Sequence, residues 1–268
     1  MEEKSGIVFG ENEKNNIKDG VNKPSEQVIN VGLFYFKTFL IMAFGLLITG
    51  LVSIGVSYLL LNLFPIYAGE SIVAYTVATI VSSILLVITS LIVSFRKEKL
   101  GAFAIIPFLI YTVSMGILLS SFLIFVQEPT FLGILFILTA VLFVIMGITG
   151  FLFKGKGLSI FIGIVFCVGL GMLFFFLINT FLLPIIIVTM SEAFLQSYMY
   201  IIYIVEALFL VLILSYTAID MGRLKRSANA GNTSTGNSIY FALILFSDFI
   251  TIFIYLIRLL GIISLKKK

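Results

Sequence analysis

The sequence predicts an all-α integral membrane protein with seven transmembrane helices, and three observations carry that prediction. First, 60% of the 268 residues are hydrophobic and only 11% are charged, against about 25% in an average soluble domain. Mean hydropathy is +1.20. Second, seven apolar segments lie near or above the ~20 residues needed to span ~30 Å of hydrocarbon. They run about 35–64, 71–94, 100–126, 131–153, 158–183, 198–221 and 239–264. Third, the connector charges alternate. Arg96, Lys97 and Lys99 join segments two and three, Lys154 and Lys156 join four and five, and Arg223, Lys225 and Arg226 join six and seven. The other connectors, around Glu70, Glu128 and Glu192, contain no Lys or Arg. Basic loops stay on the cytoplasmic side, so the N-terminus is expected there too.

Taken in order, residues 1–30 are polar, rich in Glu, Lys and Asn, and read as a mostly disordered cytoplasmic tail rather than a secretory signal. Within it, Pro24-Ser25-Glu26 is a candidate start for a helix leading into the membrane. Residues 31–268 form the membrane domain. In segment three, Pro107 predicts a kink supported by neighbouring helices. In segment five, Gly163, Gly169 and Gly171 are small residues that permit close helix approach. Cys167, the single cysteine, cannot form an intrachain disulfide and reads as a small buried packing residue. Residues 229–238, "NAGNTSTGNS", read as a flexible cytoplasmic loop. Seven spans put Lys266, Lys267 and Lys268 outside, where lysines are disfavoured. Either a three-residue tail is too weak to matter or segment seven re-enters; the seven-span reading is kept.

Several function classes fall away. With no His, there is no HExxH zinc site, no Ser-His or Cys-His nucleophile and no imidazole pH switch. The net charge of +4 follows from the topology-setting basic residues and calls for no nucleic acid. No lysine precedes Lys266 in segment seven, so a retinal Schiff base has no anchor there. An intramembrane aspartyl protease would want Gly-x-Gly-Asp, but Asp220 follows Thr-Ala-Ile and Asp248 follows Leu-Phe-Ser. Neither an enzymatic activity nor a cofactor is expected.

The acidic residues inside the spans carry the functional reading. A carboxylate at the bilayer centre costs roughly 2.5–3.5 kcal/mol on insertion scales, so its presence marks a site. At ~100° per residue, Tyr240, Ser247, Asp248, Thr251, Tyr255 and Arg258 of segment seven fall within an arc of about 100°. Phe246, Phe249, Ile250 and Phe253 lie opposite. Segment six places Glu206, Tyr216, Thr217 and Asp220 on one face, with Glu206 ~21 Å from Asp220 along the axis. The polar stripes are expected to face the bundle interior or a hydrated cavity. A bland alternative remains: a buried acid can hydrogen-bond Ser or Tyr hydroxyls, or pair with Arg258.

Three stretches resemble the Bax inhibitor-1 family, in a bacterial-type form. "YTAIDMGRLK", residues 216–225, resembles the end of that family's sixth helix. "SDFITIFIYLIRLLGI", residues 247–262, resembles its last helix, and "FYFKTFLIMAFGLLITG", residues 34–50, its first. The resemblance implies a bundle with the last helix central, and a pH-sensitive calcium leak controlled by Asp220 and Asp248. It further implies cell-death suppression in eukaryotic members and contacts with a membrane-bound protease in bacterial ones, and hence a bacterial plasma membrane here. Members with a basic residue ending the second helix can pair it with the sixth-helix Asp, which makes Arg96 or Lys97 a candidate partner. The acid that some members carry within the second helix is missing from segment two.

The residues themselves agree with that implication. Two carboxylates in a low-dielectric site cannot both ionise cheaply, so their protons leave as a coupled pair. Calcium takes six to eight oxygens, and two Asp residues offer at most four. Weak, transient occupancy completed by water and by Ser247, Thr217 or Tyr hydroxyls therefore fits better than tight storage, with Glu206, Thr251 and Tyr255 as further lining. The expected partners are the lipid bilayer, calcium ions, protons and other membrane proteins. Two rival classes remain: a proton-coupled transporter, and an interaction protein that regulates other membrane proteins.

Overall fold

The computed structural model describes residues 24–60, 69–125, 129–152, 162–171 and 192–265. Helices account for nearly all of them, and no strand occurs among them. The helices are α1 Pro24–Tyr58, α2 Gly69–Leu100, α3 Ile105–Phe125, α4 Pro129–Leu152, α5 Ile162–Gly171, α6 Glu192–Asn229 and α7 Thr235–Leu265. In hydrocarbon every backbone N–H and C=O needs an internal partner, which is why apolar runs rich in β-branched and aromatic residues become helices here. Six helices, all but α5, are long and apolar enough to cross a membrane. Only α5 represents the fifth segment. The remainder of that segment, together with Glu128, Lys154, Lys156 and the three C-terminal lysines, lies outside the described residues.

Helix α1 starts at Pro24, so the chain is already helical through the last residues of the segment read as a tail. Buried hydroxyls are absorbed locally: Thr38 Oγ1 donates to Phe34 O at 2.8 Å and Thr139 Oγ1 to Leu135 O at 2.7 Å. Each satisfies its donor on the preceding turn, as Ser and Thr do in apolar helices.

Three expectations change. Pro107 sits in the first turn of α3 rather than mid-helix. Its missing N–H is one that a helix start leaves unpaired anyway, and the 3-10 turn Gly101–Ala104, with Gly101 at φ 51°, brings the chain round from α2. In the 229–238 stretch half of the residues are helical: Asn229 ends α6, 235–238 begin α7, and 230–234 form the connection. Gly231 adopts φ 77°, Asn232 N donates to Ser227 O at 3.0 Å, and Ser234 Oγ caps α7 by accepting from Asn237 N at 3.3 Å. A left-handed glycine and a serine N-cap are the standard ways to close one helix and open the next. Cys167 is exposed on α5, not buried.

Of the segment-five glycines, Gly169 makes a close helix approach, a Cβ there coming 3.1 Å from Tyr216 Oη of α6, and tighter approaches occur at glycines of other helices. A Cβ at Gly150 on α4 would run into the backbone oxygen of Ala218 on α6, and one at Gly116 on α3 would come 2.9 Å from Thr49 O on α1. At Gly163 and Gly171 a Cβ would meet nothing. Small residues matter where two backbones converge, and hydropathy does not reveal where that happens.

Helix α7 is the most buried of the six candidate spans, with 61% of its apolar window inside against 17–39% for the rest. It packs on α1, α2, α3, α4 and α6. Phe246, Phe249, Ile250 and Phe253 are all buried, so the side of α7 opposite the polar stripe faces protein rather than lipid. Phe249 meets Phe143 of α4 at 5.6 Å between ring centres, and Phe246 meets Phe108 and Tyr111 of α3 at 6.1 and 5.8 Å.

Candidate functional site

The interface of α6 with α7 holds two clusters of ionisable side chains. The first is built around Asp220 of α6, a buried residue one helical turn before the basic stretch that ends the helix. Arg223 Nη1 donates to Asp220 Oδ1 at 2.9 Å. The i,i+3 spacing puts both on one face, and half of the Arg223 side chain remains exposed.

Asp248 of α7 faces this pair. Asp220 and Arg223 both act on its carboxylate electrostatically, and Thr217 stands beside it with its hydroxyl donating to Ile213 O at 3.1 Å. Its Oδ2 is buried and has no hydrogen-bond partner. Tyr111 closes the cluster from α3: its Oη donates to Ser247 Oγ at 3.2 Å and lies within electrostatic reach of Asp248. Burying a carboxylate oxygen without a donor is costly unless a proton, a cation or water is supplied.

The second cluster lies towards the other end of the same interface. Glu206 of α6 is buried, and Arg258 Nη2 of α7 bonds its Oε1 at 2.5 Å. Glu206 Oε2 is buried without a partner. The Arg258 guanidinium carbon sits 5.6 Å from the centre of the Tyr255 ring, and Tyr255 stacks on Phe209 at 6.1 Å. Tyr255 and Phe209 also line a cavity of about 440 Å³ shared with Gly169 of α5.

The structure thus brings Asp220, Asp248, Thr217 and Ser247 together, and separately Glu206, Tyr255 and Arg258. Thr251 stands between the clusters and donates to Ser247 O at 2.7 Å. The candidate charge partners divide differently from the sequence reading. Asp220 is paired by Arg223 from its own helix; Arg96 is exposed on α2, and the Lys97 side chain lies outside the described ones. Arg258 does pair with a buried acid, as the sequence allowed, and that acid is Glu206. Residue spacing had shown Arg223 only as a topology charge, although its i+3 relation to Asp220 was there to be read. Tyr111 had no such signal, since only the packing of α3 on α7 aims it at Ser247.

No group of three or more Cys, Asp and Glu side chains converges among the described residues. The Asp220–Asp248 cluster offers carboxylate and hydroxyl oxygens to a passing cation, but too few for tight calcium coordination. At its back, Lys225 Nζ donates to Phe151 O at 2.7 Å, tying the ends of α6 and α4 together. A lysine on a free C-terminal carbonyl suits the negative end of a helix.

Residues 31–264 match the sequence model of the family described as inhibitor of apoptosis-promoting Bax1. No curated protein sequence and no solved structure matches the chain. The matched stretch takes in both ionisable clusters and the helices that carry them. This multi-pass membrane protein therefore belongs to the Bax inhibitor-1 family.

Proposed function

We propose that the protein is a pH-sensitive cation leak for calcium, gated by the Asp220–Asp248 pair and neither an enzyme nor dependent on a cofactor. The observation that carries this reading is the Asp248 carboxylate, with one oxygen buried and unpartnered, set against the Asp220–Arg223 pair of the neighbouring helix. A proton shared between the two acids holds α6 and α7 together there. Its loss leaves two negative charges facing the one half-exposed guanidinium of Arg223. A hard cation can then take the proton's place.

The burial of α7 and its packing on five helices support a bundle with the last helix at its centre. The connector charges support a cytoplasmic N-terminus, and the bacterial-type motifs support a bacterial plasma membrane.

The test is calcium flux into proteoliposomes across about pH 6 to 8 for the wild type, Asp220→Asn, Asp248→Asn and the double variant. A gate made by the pair requires both single changes to flatten or displace one pH transition, with a non-additive double. Flux that depends on a co-transported solute would make the protein a proton-coupled transporter. Absence of flux would leave a membrane protein that acts on other membrane proteins, such as a protease or stress regulator.

A further inference from the structure

Around α7 its neighbours follow the order α1, α3, α2 on one side and α6, α4 on the other, since α1 packs on α3, α3 on α2 and α4 on α6. Helices α2 and α6 do not pack extensively on each other, so an opening lies between them. The polar stripe of α7 borders it. Ser247 meets Tyr111 of α3, Tyr255 stacks on Phe209 of α6, and the partly buried Thr251 stands between the two in angle.

Across the opening stands α2, whose polar side chains are segregated. At ~100° per residue, Thr76, Thr79, Ser83, Ser90 and Ser94 fall within an arc of about 60°. They run beside the buried row Ser82, Thr89 and Val93 that packs on the bundle. From 73 to 95 the far side carries only Val, Ile, Leu, Ala and Phe. Because an α-helix winds right-handed and α2 runs antiparallel to α3, the hydroxyl row falls on the side of α2 next to the opening. Its donors are used within the helix: Thr79 Oγ1 donates to Tyr75 O at 2.9 Å, Ser83 Oγ to Thr79 O at 2.8 Å and Ser90 Oγ to Val87 O at 2.9 Å. Each oxygen keeps its lone pairs for what lies outside the helix. From the Tyr75–Ser120 contact at 3.3 Å, nine residues along α3 to Tyr111 and nine along α2 to Ile84 each run ~14 Å, so Ser83 stands near the level of Asp248.

We propose that the opening between α2 and α6 is a water-filled cleft that leads hydrated cations to Asp248, with the α2 hydroxyl row as its outer wall. That the cargo is a cation rests on the leak reading above. A row of accepting oxygens across from Asp248 and Glu206 favours cations over anions. The Asp248 oxygen that is buried without a partner, in the stripe at the back of the opening, needs what such a cleft brings, which is water or a cation. Hydroxyls bonded to their own backbone are tolerated on any side of a helix in lipid; water on one side gives them a reason to gather there.

The experiment uses the full-length Cys167→Ser protein in proteoliposomes, carrying one new cysteine at a time. Thr79→Cys, Ser83→Cys and Ser90→Cys lie on the row. Val77→Cys, Ile84→Cys and Leu91→Cys lie on the far side, where the native residues are 54%, 53% and 47% exposed, so burial does not protect them. Each variant is treated with a membrane-impermeant cationic thiosulfonate and, separately, with its anionic analogue. The row should react severalfold faster than the far side and should prefer the cationic reagent. Row cysteines as slow as far-side cysteines overturn the cleft, and an equal or reversed charge preference overturns the cation route. Calcium flux separates this from the gate. Modification should lower flux severalfold in Ser83→Cys and leave it unchanged in Ile84→Cys. Flux untouched by modification of the row overturns the route through this cleft and leaves the aspartate gate standing. Flux absent from the unmodified protein strikes the leak reading, while the labelling rates still decide the cleft.

Discussion

Arg258 reaches from α7 to the buried Glu206 of α6 and is the ion-pair partner that this acid has across the helix interface. The pair stands apart from the Asp220–Asp248 cluster, whose own ion pair, Asp220–Arg223, lies within α6. Removing Arg258 leaves a buried carboxylate with both oxygens unpaired, whereas removing both charges leaves none. Arg258→Ala and Glu206→Gln should each destabilise the protein, by about 1.5–3 kcal/mol, and the double change should cost less than the sum of the two. Denaturation of the four proteins in detergent measures this. Additive losses would mean the contact carries no coupling energy.

A role for Glu206 in conduction makes a separate prediction. If the outer cluster lines the same path as Asp220, Glu206→Gln changes calcium flux as well as stability. Flux and pH response equal to wild type, beside an altered Asp220→Asn protein, would leave Glu206 a structural residue only.

The inner pair predicts a shared titration. Asp220→Asn and Asp248→Asn should each displace the midpoint of the flux–pH curve by about one unit or more, or abolish the transition. Arg223→Gln should also shift it, because the guanidinium neutralises the acid that Asp248 faces. Unrelated shifts for the two aspartates, adding in the double variant, would separate them.

Topology follows from the Lys225–Phe151 bond together with the connector charges. The C-terminal ends of α4 and α6 share one side, as the seven-span arrangement requires. Cysteines placed at Asn232 and Gly69 in a Cys167→Ser background should therefore be labelled from opposite faces of the membrane. Labelling from the same face would end the seven-span arrangement.

Helix packing predicts a contrast between glycines. Gly150→Ala drives a methyl into the Ala218 backbone and should cost about 1–3 kcal/mol or prevent folding. Gly163→Ala meets nothing and should be neutral or slightly stabilising, since Ala is the better helix former. Thermal unfolding in detergent distinguishes the two. Equal effects would mean that α4 and α6 do not approach as closely as described.

By itself the sequence determined what depends on neighbours along the chain. Spans appear wherever some 20 apolar residues run together, and their expected sides follow from Lys and Arg in the connectors. The shared face of Thr217 and Asp220, and that of Ser247 and Asp248, follow from helical periodicity alone. The family motifs lie in those same local runs. Tertiary structure decided what depends on how one helix is rotated and shifted against another. Arg258 pairs with Glu206 rather than Asp248, Tyr111 enters from α3, and the close contact falls at Gly150 and not Gly163. Periodicity places a side chain on its own helix but leaves open which neighbour that face meets. Between apolar helices in lipid, hydrophobicity sets no preferred partner, so small residues and buried polar groups make the choice.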